Sequence, residues 1–483
     1  MTKKRLNDDR GNDRFYIGID IGTGTVCGAL FDADAGAAER TLSRDAGPVL
    51  IGAEPCFRSQ DAACIEAAVS GIVRELSRGR VISGIGISCQ MHGILYVDGS
   101  GNALSPLIGW QDGRGGLPFR EGLSFAEYIT KVSGKRTYSG EGSVTLFHDT
   151  VKGLVPEGAA RVASIGDYIA MRLCGAREPV VSPGIARSFG LYDMRKRRFK
   201  TDVIKSLGMD PALFPDVSED VAVPVGRCVL LPERPPVCCA MGDNQASVLG
   251  AFYSCRESVS RRGRPAFLNL GTGSQISFIS SMPGREPLSP SVEIRPFVKD
   301  SVLITGAPLC GGSAYAALES FFRETAVLFS EKAPKGSGVP DNIYPAMEKL
   351  LRQSLSLKPG EYPRARTWFS GSRTQKDVYG SFSGVTLSNF TPAGLIRSVA
   401  EGVIADLMDC FNEITAEFSL EKPAFIITTG GALRQNATLT EMVSERFGLP
   451  AEAAECKEEA ALGAAVSAAG KYMADTGTAG CGI

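Results

Sequence analysis

A chain of 483 residues exceeds what one hydrophobic core usually organises, so two large domains are expected. Apolar residues make up 43% and charged residues 22%, with a net charge of −1, which excludes a disordered or collagen-like chain and leaves no global field for nucleic acid or anionic membranes. Thirteen cysteines without a CxxC pair fit reduced thiols in a cytoplasm, and two histidines, His92 and His148, give a His-based zinc site or a catalytic triad little material.

The polar tail of residues 1–14 lacks the apolar stretch of a secretory signal, and no apolar run reaches the ~18 residues of a membrane span. From Phe15 the pattern FYIGIDIGTGTVCGALFDAD gives two strand-like runs joined at Gly22-Thr23-Gly24, a hairpin with a glycine-rich tip. Such a tip, extended by Thr25, offers N–H groups and hydroxyls that cradle a phosphate. Asp20, two residues before it, is a lone carboxylate in an apolar strand, and Mg²⁺ is the natural partner. The glycine spacing is not that of a dinucleotide fingerprint, and Gly306 to Ser313 lacks the lysine of a Walker A loop.

Val81 to Val97 reads as a buried strand that breaks at Gln90-Met91-His92-Gly93 and resumes. Trp110-Gln111-Asp112-Gly113-Arg114 follows, an aromatic face beside planar polar groups of the kind that bind sugar hydroxyls. The basic run Arg195 to Lys200 reads as a solvated hairpin or loop. In Ala240 to Gly250 an apolar strand ends at Gly242 and a helix begins, with Asp243 and Asn244 at the junction. Strand ends that open into helices are where α/β proteins place chemistry, although Asp243 would also serve as a plain N-cap.

Residues 253–264, polar and turn-rich, are the expected crossing between a domain of residues 15–252 and one of residues 265–474, followed by a tail of residues 475–483. The hairpin device recurs in Ala266 to Ile279, with Gly271-Thr272-Gly273 at its tip and Asn269 where the first copy has Asp20. Leu309 to Phe322 reads as a glycine turn, containing Gly312, that opens a helix. Ser398 to Phe418 carries a helical apolar stripe at Val399, Val403, Leu407, Phe411, Ile414 and Phe418. Phe425 to Thr428 is a strand running into Thr429-Gly430-Gly431, and Thr438 with Glu441 reads as a capping box. Glu458 to Ala469 is a helix of small side chains suited to close approach of another backbone.

This ordered set, DIGTGT, QMHG, WQDGR, GDNQA, LGTGS, CGGSAYAALE and TTGGALRQN, resembles the FGGY carbohydrate kinases from about Phe15 to Ala469. The resemblance implies an α/β fold of two ribonuclease-H-like domains, of the actin and hexokinase ATPase type, with a cleft between them. It implies ATP and Mg²⁺ as cofactors, Asp243 as catalytic base, and Asp20 with Asp243 at the metal. Gly22, Thr23, Gly24, Thr25, Gly271, Thr272 and Gly273 would line the phosphate path. Gly312, Gly430, Gly431, Gln435 and Asn436 would meet the nucleotide. The sugar would meet Gln90, Met91, His92, Trp110, Asp112, Asp243 and Asn244. Met91-His92 stands where glycerol kinases carry Arg-Glu, which points to a ketose. The motif combination looks most like the sedoheptulose-phosphorylating branch, with D-xylulose as the alternative substrate. A chaperone or filament ATPase needs no such pocket, and a sugar sensor without turnover would not need Asp243. No nucleic-acid or membrane partner is expected, and a homodimer is compatible.

Overall fold

The computed structural model describes residues 14–271, 273–330, 340, 342–372, 375 and 378–470. The expectations placed on Thr272 and on the two tails beyond Arg14 and Gly470 lie outside these residues. The chain forms two compact units, one holding the residues up to Ser254, Pro296–Asp300 and the segment from Cys456, the other Cys255–Arg295 and Ser301–Glu455.

In the first unit β1 (Phe15–Ile21), β2 (Thr25–Asp32) and β3 (Ala37–Asp45) form an antiparallel meander. Helix α1 (Ala62–Leu76) follows, N-capped by Asp61, whose side chain accepts from the Ala63 N–H, and burying Ile65, Val69, Ile72 and Leu76 along one face. Strand β4 (Ile82–Cys89) then joins β1 in parallel. After α2 (Ile165–Cys174) come β5 (Pro224–Arg227) and β6 (Pro236–Gly242), and the sheet order is β5-β6-β4-β1-β2-β3. Ile17, Ile19 and Ile21 alternate onto one buried face, while Gly18 of β1 and its partner Gly86 of β4 lie on the other. Strand β6 runs without a loop into α3 (Asp243–Ser254).

The second unit repeats this plan. Its sheet comprises β7 (Pro265–Leu270), β8 (Ser274–Ser281), β9 (Val292–Pro296), β10 (Ser301–Gly306), β11 (Phe425–Thr429) and β12 (Ala451–Ala453) in the order β9-β10-β8-β7-β11-β12. Along β10-β8-β7-β11-β12 the pairings are antiparallel, antiparallel, parallel, parallel, as along β3-β2-β1-β4-β6. The two glycine hairpins are therefore the visible part of a repeat of whole sheets. Helices α4 (Gly312–Ser330), α5 (Pro392–Phe418) and α6 (Ala437–Phe447) accompany this sheet. Of the stripe expected on α5, Val399, Val403, Leu407, Phe411 and Ile414 are buried, while Phe418 is only partly covered.

Two local readings are corrected, and the partner of the last helix is identified. Residues 253–264 are mostly helical: α3 reaches Ser254 and a second helix spans Arg256–Arg262, because Cys255, Ser258 and Val259 are buried at helical spacing. The cap of α6 is Asn436, whose Oδ1 accepts from the Leu439 N–H at 3.1 Å, and Thr438 lies buried inside the helix. The last helix, α7 (Glu459–Ala468), packs on α3, β1 and β4 of the first unit rather than on the sheet that precedes it in sequence. Its small side chains are the cause. A Cβ at Gly18 would stand 1.8 Å from the Ala461 carbonyl oxygen, one at Gly86 1.9 Å from that of Ala464, and one at Gly463 1.9 Å from that of Ala246. The basic run is a surface hairpin, Tyr192–Asp193 pairing with Arg198–Phe199, whose turn is held by Asp193 Oδ1 accepting from the Arg195 and Lys196 N–H groups.

Asp167 on α2 is a buried carboxyl outside the motifs. Its Oδ2 accepts from Ser164 Oγ at 2.5 Å, and burial pushes its pKa up to about 8, against hydrogen bonds from Ser164 and the Ala240 backbone. A carboxyl raised on folding contributes stability that is complete below its unfolded pKa and is lost as pH rises through about 8. Between pH 5 and pH 8 the thermal midpoint of the wild type is therefore expected to fall more than that of Asp167→Asn. A difference of about 1 kcal/mol corresponds to roughly 2–4 °C. Equal slopes in a melting series across this range would show that the carboxyl folds ionised.

Candidate active site

Strand β6 delivers Asp243 to the mouth of the sheet, where it is the exposed first residue of α3 and its Oδ1 accepts from the Asn244 N–H at 2.7 Å. Asn244 itself is buried. Asp20, near the end of β1, is half-buried and accepts from Ser88 Oγ at 2.6 Å. Its pKa is raised to about 7, chiefly by burial, against the Ser88 hydrogen bond, with the charges of Asp243 and Glu458 adding to the rise. Asp20 and Asp243 thus share one electrostatic environment, although 223 positions in sequence separate their numbers. Glu458, immediately before α7, belongs to it too. In sequence it is one of several glutamates opening a helix, and only its place against the first unit marks it.

The tip between β1 and β2 is a turn closed by the Gly22 N–H donating to the Thr25 carbonyl at 2.9 Å, with Gly24 and Thr25 exposed. Thr23 turns toward the protein. Its hydroxyl donates to Gln90 Oε1 at 3.2 Å and accepts from Trp110 Nε1 at 3.0 Å. Gln90 Nε2 donates to Gln60 Oε1 at 3.0 Å, and Gln60 Nε2 donates to the Thr23 carbonyl at 2.8 Å. The structure therefore joins Thr23, Gln90 and Trp110, assigned above to two different ligands, through a glutamine that no motif contained.

Met91 is buried against Gly242, where a Cβ would meet its sulfur at 2.8 Å. His92 adopts φ 79°, a left-handed conformation that costs a non-glycine residue free energy and is held here by its surroundings. Its Nδ1 lies 3.0 Å from the Ser188 carbonyl, which can only accept, so Nδ1 carries the hydrogen. Asp112 departs from its expected role. Its side chain has no exposed surface, and its two oxygens accept from the Arg58 N–H and from the Arg114 N–H, Nε and Nη2. Arg114 in turn donates to Asp149 Oδ1 at 2.6 Å and sits 4.5 Å above the Phe57 ring. Asp112 is committed to a buried ion-pair network that fixes the loop carrying Trp110, which is 44% exposed, and it offers no free oxygen to a sugar.

In the second unit a pocket of about 700 Å³ is lined by Gly271, Gly312, Gly431, Gln435 and Asn436, which brings five of the expected nucleotide residues together. The Gly312 N–H donates to the Gly271 carbonyl at 2.9 Å, and a Cβ on Gly312 would stand 2.3 Å from that oxygen. Gly273 and Gly430 do not line the pocket. Gly430 (φ 91°) instead lies where a Cβ would meet the Leu270 backbone at 2.6 Å, so it serves close packing. Sequence reading missed Tyr315 and Tyr344, whose stacked rings lie 6.2 Å apart, and Glu348 on the same wall. An apolar wall with a few convergent polar groups is the usual make-up of a small-molecule pocket.

The model for the N-terminal domain of the FGGY family of carbohydrate kinases matches residues 15–250, and that for its C-terminal domain matches residues 266–472. The chain belongs to this family and is a carbohydrate kinase. Among curated relatives it is similar to the sedoheptulokinase of Homo sapiens, 27% identical over 494 residues that span 93% of this chain and 96% of that one. In fold it is similar to the xylulose kinase of Rhodospirillum rubrum, with a TM-score of 0.76, 20% identity and coverage of 94% and 89% of the two chains. It is also similar to Plasmodium falciparum glycerol kinase crystallised with ADP, with a TM-score of 0.75, 16% identity and coverage of 95% and 90%. These likenesses establish the two-domain actin and hexokinase type of fold expected from the motifs. Among the described residues no helix is long and apolar enough to cross a membrane.

Proposed function

We propose that the chain transfers the γ-phosphoryl group of ATP to the terminal hydroxyl of a ketose, converting sedoheptulose to sedoheptulose 7-phosphate with Asp243 as general base. The observation that carries the chemistry is the exposed Asp243 carboxylate at the β6–α3 junction, electrostatically coupled to Asp20. As the hydroxyl oxygen forms its bond to phosphorus and the bond to the bridging oxygen of ADP breaks, Asp243 takes the hydroxyl proton. The residues fit a magnesium ion: Asp20 and Asp243 place two carboxylates in one field, and a bound cation would favour the ionised form of Asp20 that burial, and to a lesser degree the charges of Asp243 and Glu458, disfavour. Among the described residues no three His, Cys, Asp or Glu side chains are arranged to hold a metal, so water and phosphate oxygens would complete its shell. The glycine-walled pocket of the second unit would take the nucleoside end of ATP.

The sugar is read from Gln90, Met91, His92 and Trp110 and from the similarity to sedoheptulokinase. A site built to hydrogen-bond the hydroxyls of a seven-carbon ketose loses about 1–3 kcal/mol for each buried group that a shorter sugar leaves unmatched. We expect kcat/KM for sedoheptulose to exceed that for D-xylulose at least tenfold, with glycerol the poorest. A coupled ADP-release assay across these sugars decides it, and xylulose equal or better would move the reading to D-xylulose. No stimulation by any sugar would favour a sensor.

A further inference from the structure

We infer that Gln60, on the short strand Arg58–Gln60, is a positioning residue that fixes the Thr23 tip and the Gln90–Trp110 wall relative to each other. This role rests on the sugar-kinase reading of those groups. The geometry is a closed ring in which every donor and acceptor is forced by the one before it. The Thr23 carbonyl can only accept, so the group of Gln60 that faces it is Nε2. Gln60 Oε1 then faces Gln90, which must offer its own Nε2. Gln90 Oε1 is left facing the Thr23 hydroxyl, which must donate, and the remaining acceptor site of that hydroxyl takes the indole N–H of Trp110.

Gln60 is 2% exposed and Gln90 5%, so neither amide exchanges these partners readily for water. The ring spans three segments far apart in sequence: the β1–β2 tip, the strand that ends just before Asp61 caps α1, and the break after β4. The tip carries glycines at 22 and 24 and is closed by the Gly22–Thr25 hydrogen bond and by the Ala46 N–H donating to the Gly24 carbonyl at 3.1 Å. Gln60 adds the side-chain tie that sets the Thr23 carbonyl and hydroxyl against Gln90. It also fixes which end of the Gln90 amide is spent on the acceptor side, and leaves the second hydrogen of Gln90 Nε2 for a ligand hydroxyl, since no described residue takes it.

The test uses Gln60→Met, which keeps length and loses both hydrogen bonds, and Gln60→Glu, which keeps shape but sets an acceptor against the Thr23 carbonyl. With the sugar that the wild type turns over fastest, both variants should raise the sugar KM at least fivefold and lower kcat at least threefold. The ATP KM should change less than the sugar KM, because the second-unit pocket is untouched and only the phosphate end of ATP would meet the Thr23 tip. A merely structural glutamine would reduce the amount of folded enzyme and leave both KM values where they were. A sugar KM within twofold of wild type overturns the proposal, as does a Gln60→Glu enzyme indistinguishable from wild type. A second measurement needs no turnover. The chain has two tryptophans, so Trp368→Phe leaves Trp110 as the single reporter. Adding Gln60→Met should raise acrylamide quenching of Trp110 at least 1.5-fold, and unchanged quenching overturns the ring. If no ketose supports turnover, the substrate reading fails while the quenching result still decides the role of Gln60.

Discussion

Asp243→Asn is expected to lower kcat by about two to four orders of magnitude, the usual contribution of a general base, with the fold unchanged. One side-chain contact at the start of α3 is Oδ1 accepting from the Asn244 N–H, and an asparagine oxygen can make the same contact. That contact therefore survives the substitution, whereas proton acceptance does not, because an amide oxygen is far too weak a base near neutral pH. The proposed base role of Asp243 and its contact at the helix start separate cleanly. Steady-state kinetics beside a melting curve provide the check: a variant keeping more than a tenth of wild-type kcat at an unchanged midpoint would show that Asp243 is only a helix start.

Gly463→Ala is expected to destabilise the first unit by about 3 kcal/mol or more, toward the upper end of overpacking costs. Alanine is the better helix former by about 1 kcal/mol, so intrinsic propensity predicts the opposite sign. Packing decides it. The added Cβ would lie 1.9 Å from the Ala246 carbonyl oxygen and 2.8 Å from its carbon, and backbone inside α3 cannot step aside as a flexible side chain would. Gly116→Ala, where a Cβ meets nothing within 4 Å, is the control and should stay within about 0.5 kcal/mol of wild type. Because two units need not unfold together, the transition is best followed through Trp110 alone in the Trp368→Phe background. Equal midpoints for the two glycine variants would refute the close helix crossing.

The elements most legible in sequence were those specified locally. Apolar runs over Phe15–Ile21 and Thr25–Asp32 with glycines between them define a hairpin, and its second copy with Asn269 in place of Asp20 announced the repeat. The apolar run ending at Gly242 placed Asp243 at a strand end. Relations between distant segments were not legible. The small residues of Glu459–Ala468 foretold close approach to a backbone but not which one, and nothing local placed the helix against the first unit. Asp112 was read as a sugar ligand because a string of letters does not distinguish a free carboxylate from one buried against Arg114, although the guanidinium two positions on was the available signal. Gln60 and Glu458 gave no signal at all, since their partners lie far along the chain. Tyr315 lay in a stretch read only as a helix, and Tyr344 and Glu348 in one that carried no motif, until the pocket brought them together.

The placement of α7 also bears on the order in which the molecule can be assembled during synthesis. The first unit's other strands and helices have been made once residue 254 is translated, but the helix that covers Gly18 and Gly86 begins at residue 459. At about 5–20 residues/s, translation takes roughly 10–40 s to cover that interval. Throughout it the nascent first sheet has one bare seam of backbone, and the polypeptide that will cover it does not yet exist. Whatever partial structure the leading half adopts on the ribosome is provisional, and the final locking of helix α3 awaits translation through the entire trailing unit.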